Sequence, residues 1–134
     1  MAEEVLVGEQ LTPDMIKSGE LVVVALDKGD VVVKGAYWLL LPEQREWRLV
    51  IASPEVRFGG PMAMYRKIRE ILGRLPAGAP VVGTKDISAV DEKDPLFLRL
   101  RSAISTGPGV GGIRFSRNVV KGQLIEDAYV YRVS

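Results

Sequence analysis

Apolar residues recur along this chain at two spacings, and the change from one to the other sets out the elements. Met15, Ile16, Val22, Val23 and Leu26 return at helical intervals. Thr12-Pro13-Asp14 precedes them with a capping hydroxyl, a proline for the first helical position and an acid for the first turn. Gly29 is the expected stop. Gly19 falls on the same stripe and predicts a close approach of helix to sheet. The β-branched run Val22–Val24 would also suit a strand, so the period alone carries the helix.

Two short apolar runs, Ala36–Leu41 and Trp47–Ala52, flank Pro42-Glu43-Gln44-Arg45-Glu46 and predict a β-hairpin with a five-residue loop. Pairing Leu41 with Trp47 sets Tyr37 opposite Ile51 and Leu39 opposite Leu49. The other face then gathers Ala36, Trp38, Leu40, Arg48, Val50 and Ala52. Both faces are mostly apolar, which implies a central position or a cover on each side. Trp38 and Trp47 fall on different faces in this register, one as core and the other as an interface anchor.

Gly60-Pro61 opens a second helix to about Leu75, with the stripe Tyr65, Ile68, Leu72 and Leu75. Asp86–Val90 reads as a short strand. Asp94-Pro95 repeats the cap-plus-proline signal before the stripe Leu96, Phe97, Leu100, Ala103 and Ile104. Ser53–Gly60, Pro76–Gly83 and Thr106–Gly112 are rich in Gly or Pro and read as loops. A two-residue turn at Lys121-Gly122 then sets Ile113 against Val130, Phe115 against Ala128, Val119 against Leu124 and Arg117 against Glu126. This makes one apolar face with a charge-matched pair. Arg114, Ser116, Asp127 and Tyr129 form a polar and aromatic surface on the other.

The expected fold class is therefore α+β: a mainly antiparallel sheet of about five strands, two hairpins plus a short strand, with three helices in the order α-ββ-α-β-α-ββ. No loop is long enough to link domains, so residues 1–134 form one domain, with 1–8 expected to be flexible.

Composition changes this picture mainly by what is missing. The 134 residues include no Cys and no His. Thiol nucleophiles, disulfides, Cys–zinc sites and every imidazole-based triad are excluded. Carboxylates, carbonyls and waters would suit only Mg²⁺ or Ca²⁺, and no cofactor and no metal site is expected. The acidic start Met1-Ala2-Glu3-Glu4 lacks the basic opening of a secretory signal. The longest apolar runs fall far short of the roughly 20 residues a membrane span needs. A soluble, cytoplasmic chain with no membrane contact is the expectation. Eighteen Lys and Arg against 17 Asp and Glu leave a net charge of +1, which argues against a polyanion-seeking protein.

Three patterns carry candidate chemistry. Thr106–Gly112 resembles a phosphate cradle in composition, but it follows a helix instead of preceding one, and a helix C-terminus repels phosphate. Asp86, Asp91, Glu92 and Asp94, with Lys85 and Lys93, could in principle hold Mg²⁺ for phosphodiester chemistry, although a charged loop is the commoner meaning. Arg66 and Arg69 on the second helix are the candidate anion contacts, with a solvated helix face as the plainer reading. The leading expectation is a binding or assembly module, not an enzyme. It is expected to form a homodimer through the first hairpin at Trp38, Leu40 and Val50, because three helices would leave one sheet face uncovered. A further protein partner fits the same reading, and nucleic acid is not expected. The alternatives are a Mg²⁺-dependent phosphodiester-processing enzyme and a nucleic-acid-binding accessory protein.

Overall fold

Local signals set the helix ends. In the computed structural model, which describes residues 3–134 with side chains from residue 5 onward, the Thr12 hydroxyl accepts from the Met15 amide at 3.2 Å. That cap starts α1 (Pro13–Lys28), which stops at Gly29. The Asp94 carboxylate accepts from the Phe97 amide at 3.1 Å and starts α3 (Pro95–Ala103). Between them, α2 (Glu55–Leu72) begins earlier than Gly60-Pro61 predicts, within the stretch read as a loop. The helix breaks at Gly60, where φ is +81°, and resumes at Pro61.

The strands are β1 (Glu3–Val5), β2 (Gly35–Leu41), β3 (Glu46–Ala52), β4 (Pro80–Val82), β5 (Ile87–Val90), β6 (Ile113–Val120) and β7 (Gln123–Val133). Five of them form one sheet in the order β5-β3-β2-β7-β6. The three-helix, five-strand architecture agrees with the expected α+β class and element order. The sheet is mixed, however, because β5 runs parallel to β3. The helix α2 joins those two strands, and a helical crossover returns the chain in the same direction. A separate parallel pair, β1 with β4, corrects one further expectation. Pro80–Val82, within a stretch read as loop, is a strand, and its partner is Glu3–Val5, residues 1 and 2 lying outside the described residues. Among the described residues, no helix is long and apolar enough to cross a membrane.

The first hairpin differs from its expected register by one residue. Its turn is four residues long, Pro42–Arg45, with Arg45 at φ +51°, so Leu41 faces Glu46 instead of Trp47. A one-residue slip turns one strand over relative to its partner. Ala36, Trp38, Leu40, Trp47, Leu49 and Ile51 therefore share one face, and Tyr37, Leu39, Val50 and Ala52 share the other. Both tryptophans lie on the same side and are buried. The expected face of Trp38, Leu40 and Val50 does not exist, because Val50 points away from the other two.

Both sheet faces are covered, contrary to the expectation of three helices on one side. The first two helices pack over the tryptophan face, and α3 places Phe97 and Leu100 on the other. The reason is topological: α3 joins β5 to β6, the two opposite edges of the sheet, and has to cross a full face between them.

Contact between α1 and the sheet is tight at Gly19, where an added Cβ would collide with the Tyr131 hydroxyl and the Trp38 indole. That indole donates to Met15 O and to the Tyr131 hydroxyl, both at 3.1 Å, and the Tyr131 hydroxyl donates to Ile16 O. Register shifts between β2 and β7 at Ala36/Tyr37, leaving Tyr131 as the extra residue of a bulge. Arg132 is 5% exposed. It donates to both Asp27 oxygens at 3.0 and 2.7 Å, to Val33 O at 3.2 Å and to Gly109 O at 3.1 Å.

In the last hairpin the expected register holds from Ile113–Val130 to Val120–Gln123. Lys121 and Gly122, at φ +47° and +81°, form the left-handed two-residue turn that suits the strand twist. The expected faces hold only above Arg117. That residue has φ +48°, and it and Glu126 drop out of the ladder with no ion pair between them. Beyond this point the two sides exchange. Val120 and Ile125 are buried, while Val119 and Leu124 are 68% and 56% exposed.

Asp27→Ala leaves the Arg132 guanidinium buried without its carboxylate and should cost about 3 kcal/mol in urea unfolding. Removing the exposed Arg45–Glu9 pair with Arg45→Ala should cost less than about 1 kcal/mol. Equal losses in the two variants would show that the buried pair is not the stronger tie.

Candidate functional site

Alternation along β6 and β7 brings the four polar and aromatic candidates together on the α1 side of the hairpin. Arg114 donates from Nε and Nη2 to the two oxygens of Asp127 at 2.6 and 2.5 Å. The Ser116 hydroxyl donates to Asp127 Oδ1 at 2.8 Å. Tyr129, half-buried, meets Tyr131 edge-on with ring centres 5.3 Å apart. The Arg114 guanidinium also lies 5.7 Å above the Trp47 ring, whose indole donates to Glu9 O at 2.9 Å. Beside this cluster, Glu9, Leu40, Pro42, Arg45 and Glu126 line an open cavity of about 210 Å³.

The charged groups of this cluster neutralise one another. Partial burial disfavours the Asp127 carboxylate, but the hydrogen bonds from Arg114 and Ser116 outweigh it and hold its pKa below the ordinary value. A carboxylate with a lowered pKa is a weak base toward the Ser116 hydroxyl. Three of the four acids expected of a Mg²⁺ centre have structural partners instead, and the fourth, Asp86, is buried. Asp91 accepts from Arg57 at 3.0 and 3.2 Å, Glu92 lies 3.6 Å from the same guanidinium, and Asp94 caps α3. Among the described residues, no three acids come together in a way that could hold a metal.

The other candidates disperse. Trp38 is fully buried under α1, Leu40 is half-buried at the cavity, and Val50 lies in the core beneath α3. On α2 and just past its end, Lys67 pairs with Glu55 at 2.7 Å, Arg74 with Glu70 at 2.9 Å, and Arg57 with Asp91. This leaves Arg66 and Arg69 as its exposed cations without an acid partner among the described residues. The glycine-rich loop is largely exposed but tied to the last strand. Gly111 donates its amide to Tyr131 O, and Gly109 presents its carbonyl to Arg132.

Whole-chain charge hid a further feature. From Pro95 to Ile125 the chain has no Asp or Glu, yet it carries Arg99, Arg101, Arg114, Arg117 and Lys121. Folding places this run on α3 and β6, which contact each other. Arg99 donates to Gln123, and Arg101 lies over the Phe97 ring. Only Arg114 of the five meets an acid among the described residues. A charge count taken over windows of the sequence would have found it.

Compared with family models, curated proteins and solved structures, the chain has no match in any of the three.

Because the folded pKa of Asp127 is lowered, its contribution to stability is complete above the ordinary carboxylate range, near pH 4. It is lost as pH falls through the lowered value. Ser116→Ala removes one donor and should move the Asp127 titration to higher pH, read from its side-chain carboxyl carbon by NMR. An unmoved midpoint would mean that Ser116 contributes nothing to the carboxylate.

Proposed function

We propose that this chain is a binding module, not an enzyme, that works in the cytoplasm through the open edge of its sheet at β6. The observation that carries this reading is the state of that edge. Strand β6 is eight residues long, pairs only with β7, and is exposed except at Phe115 and Val120. Its outer row of backbone N–H and C=O groups has no strand against it, which is the geometry of strand addition. The opposite edge, β5, is only four residues long.

Absence of His and Cys and the structural roles of Asp91, Glu92 and Asp94 support the non-enzymatic part of this reading. Self-association through the first hairpin loses its surface, because both faces of that hairpin are covered. The working surface moves instead to the outer strand of the second hairpin.

Selection of random extended peptides against the folded protein, followed by hydrogen exchange of the complexes, tests this reading. Bound peptides should slow exchange of amides between Ile113 and Val120. Protection confined to α2 or to the cavity beside Glu9 and Arg45 would place the working surface elsewhere.

A further inference from the structure

We propose that the occupant of the β6 edge is an extended acidic segment of a partner protein, added as a sixth strand. This rests on the reading of β6 as the working edge and adds the chemistry of what binds there.

Charge complementarity is the first ground. The run from Pro95 to Ile125 has five cations and no acid in a chain whose net charge is only +1, so the remainder of the protein is net acidic. Folding concentrates the cations along the outer edge and on the helix beside it. Arg114 is neutralised by Asp127. Arg99, Arg101, Arg117 and Lys121 have no acid partner among the described residues. An approaching acidic strand meets an excess of cations there, with Glu126 and Asp127 of β7 as the acids beside them, and that excess speeds encounter and disfavours basic competitors.

The exposed side chains decide between kinds of acidic partner. Those of apolar character on the hairpin are aliphatic: Ile113 at 42%, Val119 at 68% and Leu124 at 56% exposure. Aliphatic side chains pack against alternate residues of a guest strand. Single-stranded nucleic acid binds on exposed aromatic platforms. The one aromatic on β6, Phe115, is half-buried against the α3-side core.

A second copy of this chain fits the edge poorly. Antiparallel pairing of β6 with itself would set Arg114 and Arg117 of each chain near those of the other with no acid in either strand, and like charges on facing strands repel. The left-handed backbone at Arg117 also interrupts a long edge-to-edge ladder, as bulges on natural sheet edges do. A guest segment needs only the run Ile113–Ser116 for its backbone hydrogen bonds, with its acids reaching Arg117 and Lys121.

The test uses the whole folded chain, ¹⁵N-labelled, titrated with three peptides of about ten residues, the length of a long strand. In them valine alternates with glutamate, serine or lysine. The glutamate peptide should shift the amides of Ile113–Val120 and bind roughly tenfold more tightly than the lysine peptide, the product of a few cross-strand charge pairs. Its advantage should shrink with added salt. Arg117→Glu with Lys121→Glu should reverse the order. Arg117→Asn, which tolerates the positive φ, should reduce the preference with the hairpin intact.

Equal binding by all three peptides would overturn the charge inference and leave the edge reading standing. No shift at β6 with any peptide would overturn the edge reading itself. A thymidine oligonucleotide shifting the same amides at lower concentration would assign the edge to nucleic acid. A light-scattering mass near double 14.7 kDa, with β6 amides protected in the free protein, would assign it to a second copy.

Discussion

One extra residue in β7 determines how the rest of the molecule is held. The bulge at Tyr131 turns both Tyr131 and Arg132 toward α1, where regular alternation would send one of them to the opposite face. Tyr131 then links the helix carbonyl of Ile16 to the Trp38 indole, and burial pushes its phenol well above the usual range. Arg132 gathers Asp27, Val33 and Gly109 around one guanidinium. The end of the first helix, the link into β2 and the glycine-rich loop all converge on the last strand. Close packing at Gly19 is possible because these polar groups are satisfied within the same contact.

The same arrangement ties the glycine-rich loop to the last strand. Its chain runs back along β7, with Gly111 and Thr106 hydrogen-bonded to that strand and a carbonyl turned to Arg132. From there the chain enters β6 at the outer edge, because every inner position of the sheet is already taken. The edge is thus a consequence of topology: β7 is pinned to β2 by the tyrosine and arginine contacts, and β6 has only one side left to pair. The crossing of α3 from one sheet edge to the other brings Arg99 and Arg101 to the same end of the molecule. A continuous acid-free run in sequence is carried by two elements that touch in space, α3 and β6.

Much of this fold was legible in the sequence. Thr12-Pro13-Asp14 and Asp94-Pro95 marked helix starts because capping is chemistry of adjacent residues. The Lys121-Gly122 turn and its register followed from two strands with strong period-two patterning. The polar cluster of Arg114, Ser116, Asp127 and Tyr129 followed from that register, since cross-strand neighbours are fixed once the pairing is known. The first hairpin was harder. Apolar residues occupy both of its faces, so pattern alone scarcely distinguished a five-residue loop from a four-residue one, and one step exchanged the partners of Trp47. The exchange of sides at Arg117 left no mark in the pattern, because arginine is not a residue type that announces a left-handed backbone.

By itself, then, the sequence determined the α+β class, the order of the main elements, the capped starts of the first and third helices, the second hairpin's register and the absence of imidazole and thiol chemistry. Each of these depends on residues adjacent in the chain or paired across one tight turn. Only the tertiary structure decided that α3 lies opposite the other two helices, that β5 runs parallel to β3, that Glu3–Val5 pairs with Pro80–Val82, and that the first hairpin is sealed on both faces. Those outcomes depend on which distant segments share a surface. That choice is made by the burial of the whole core and by strand connectivity, and no local window of sequence contains it.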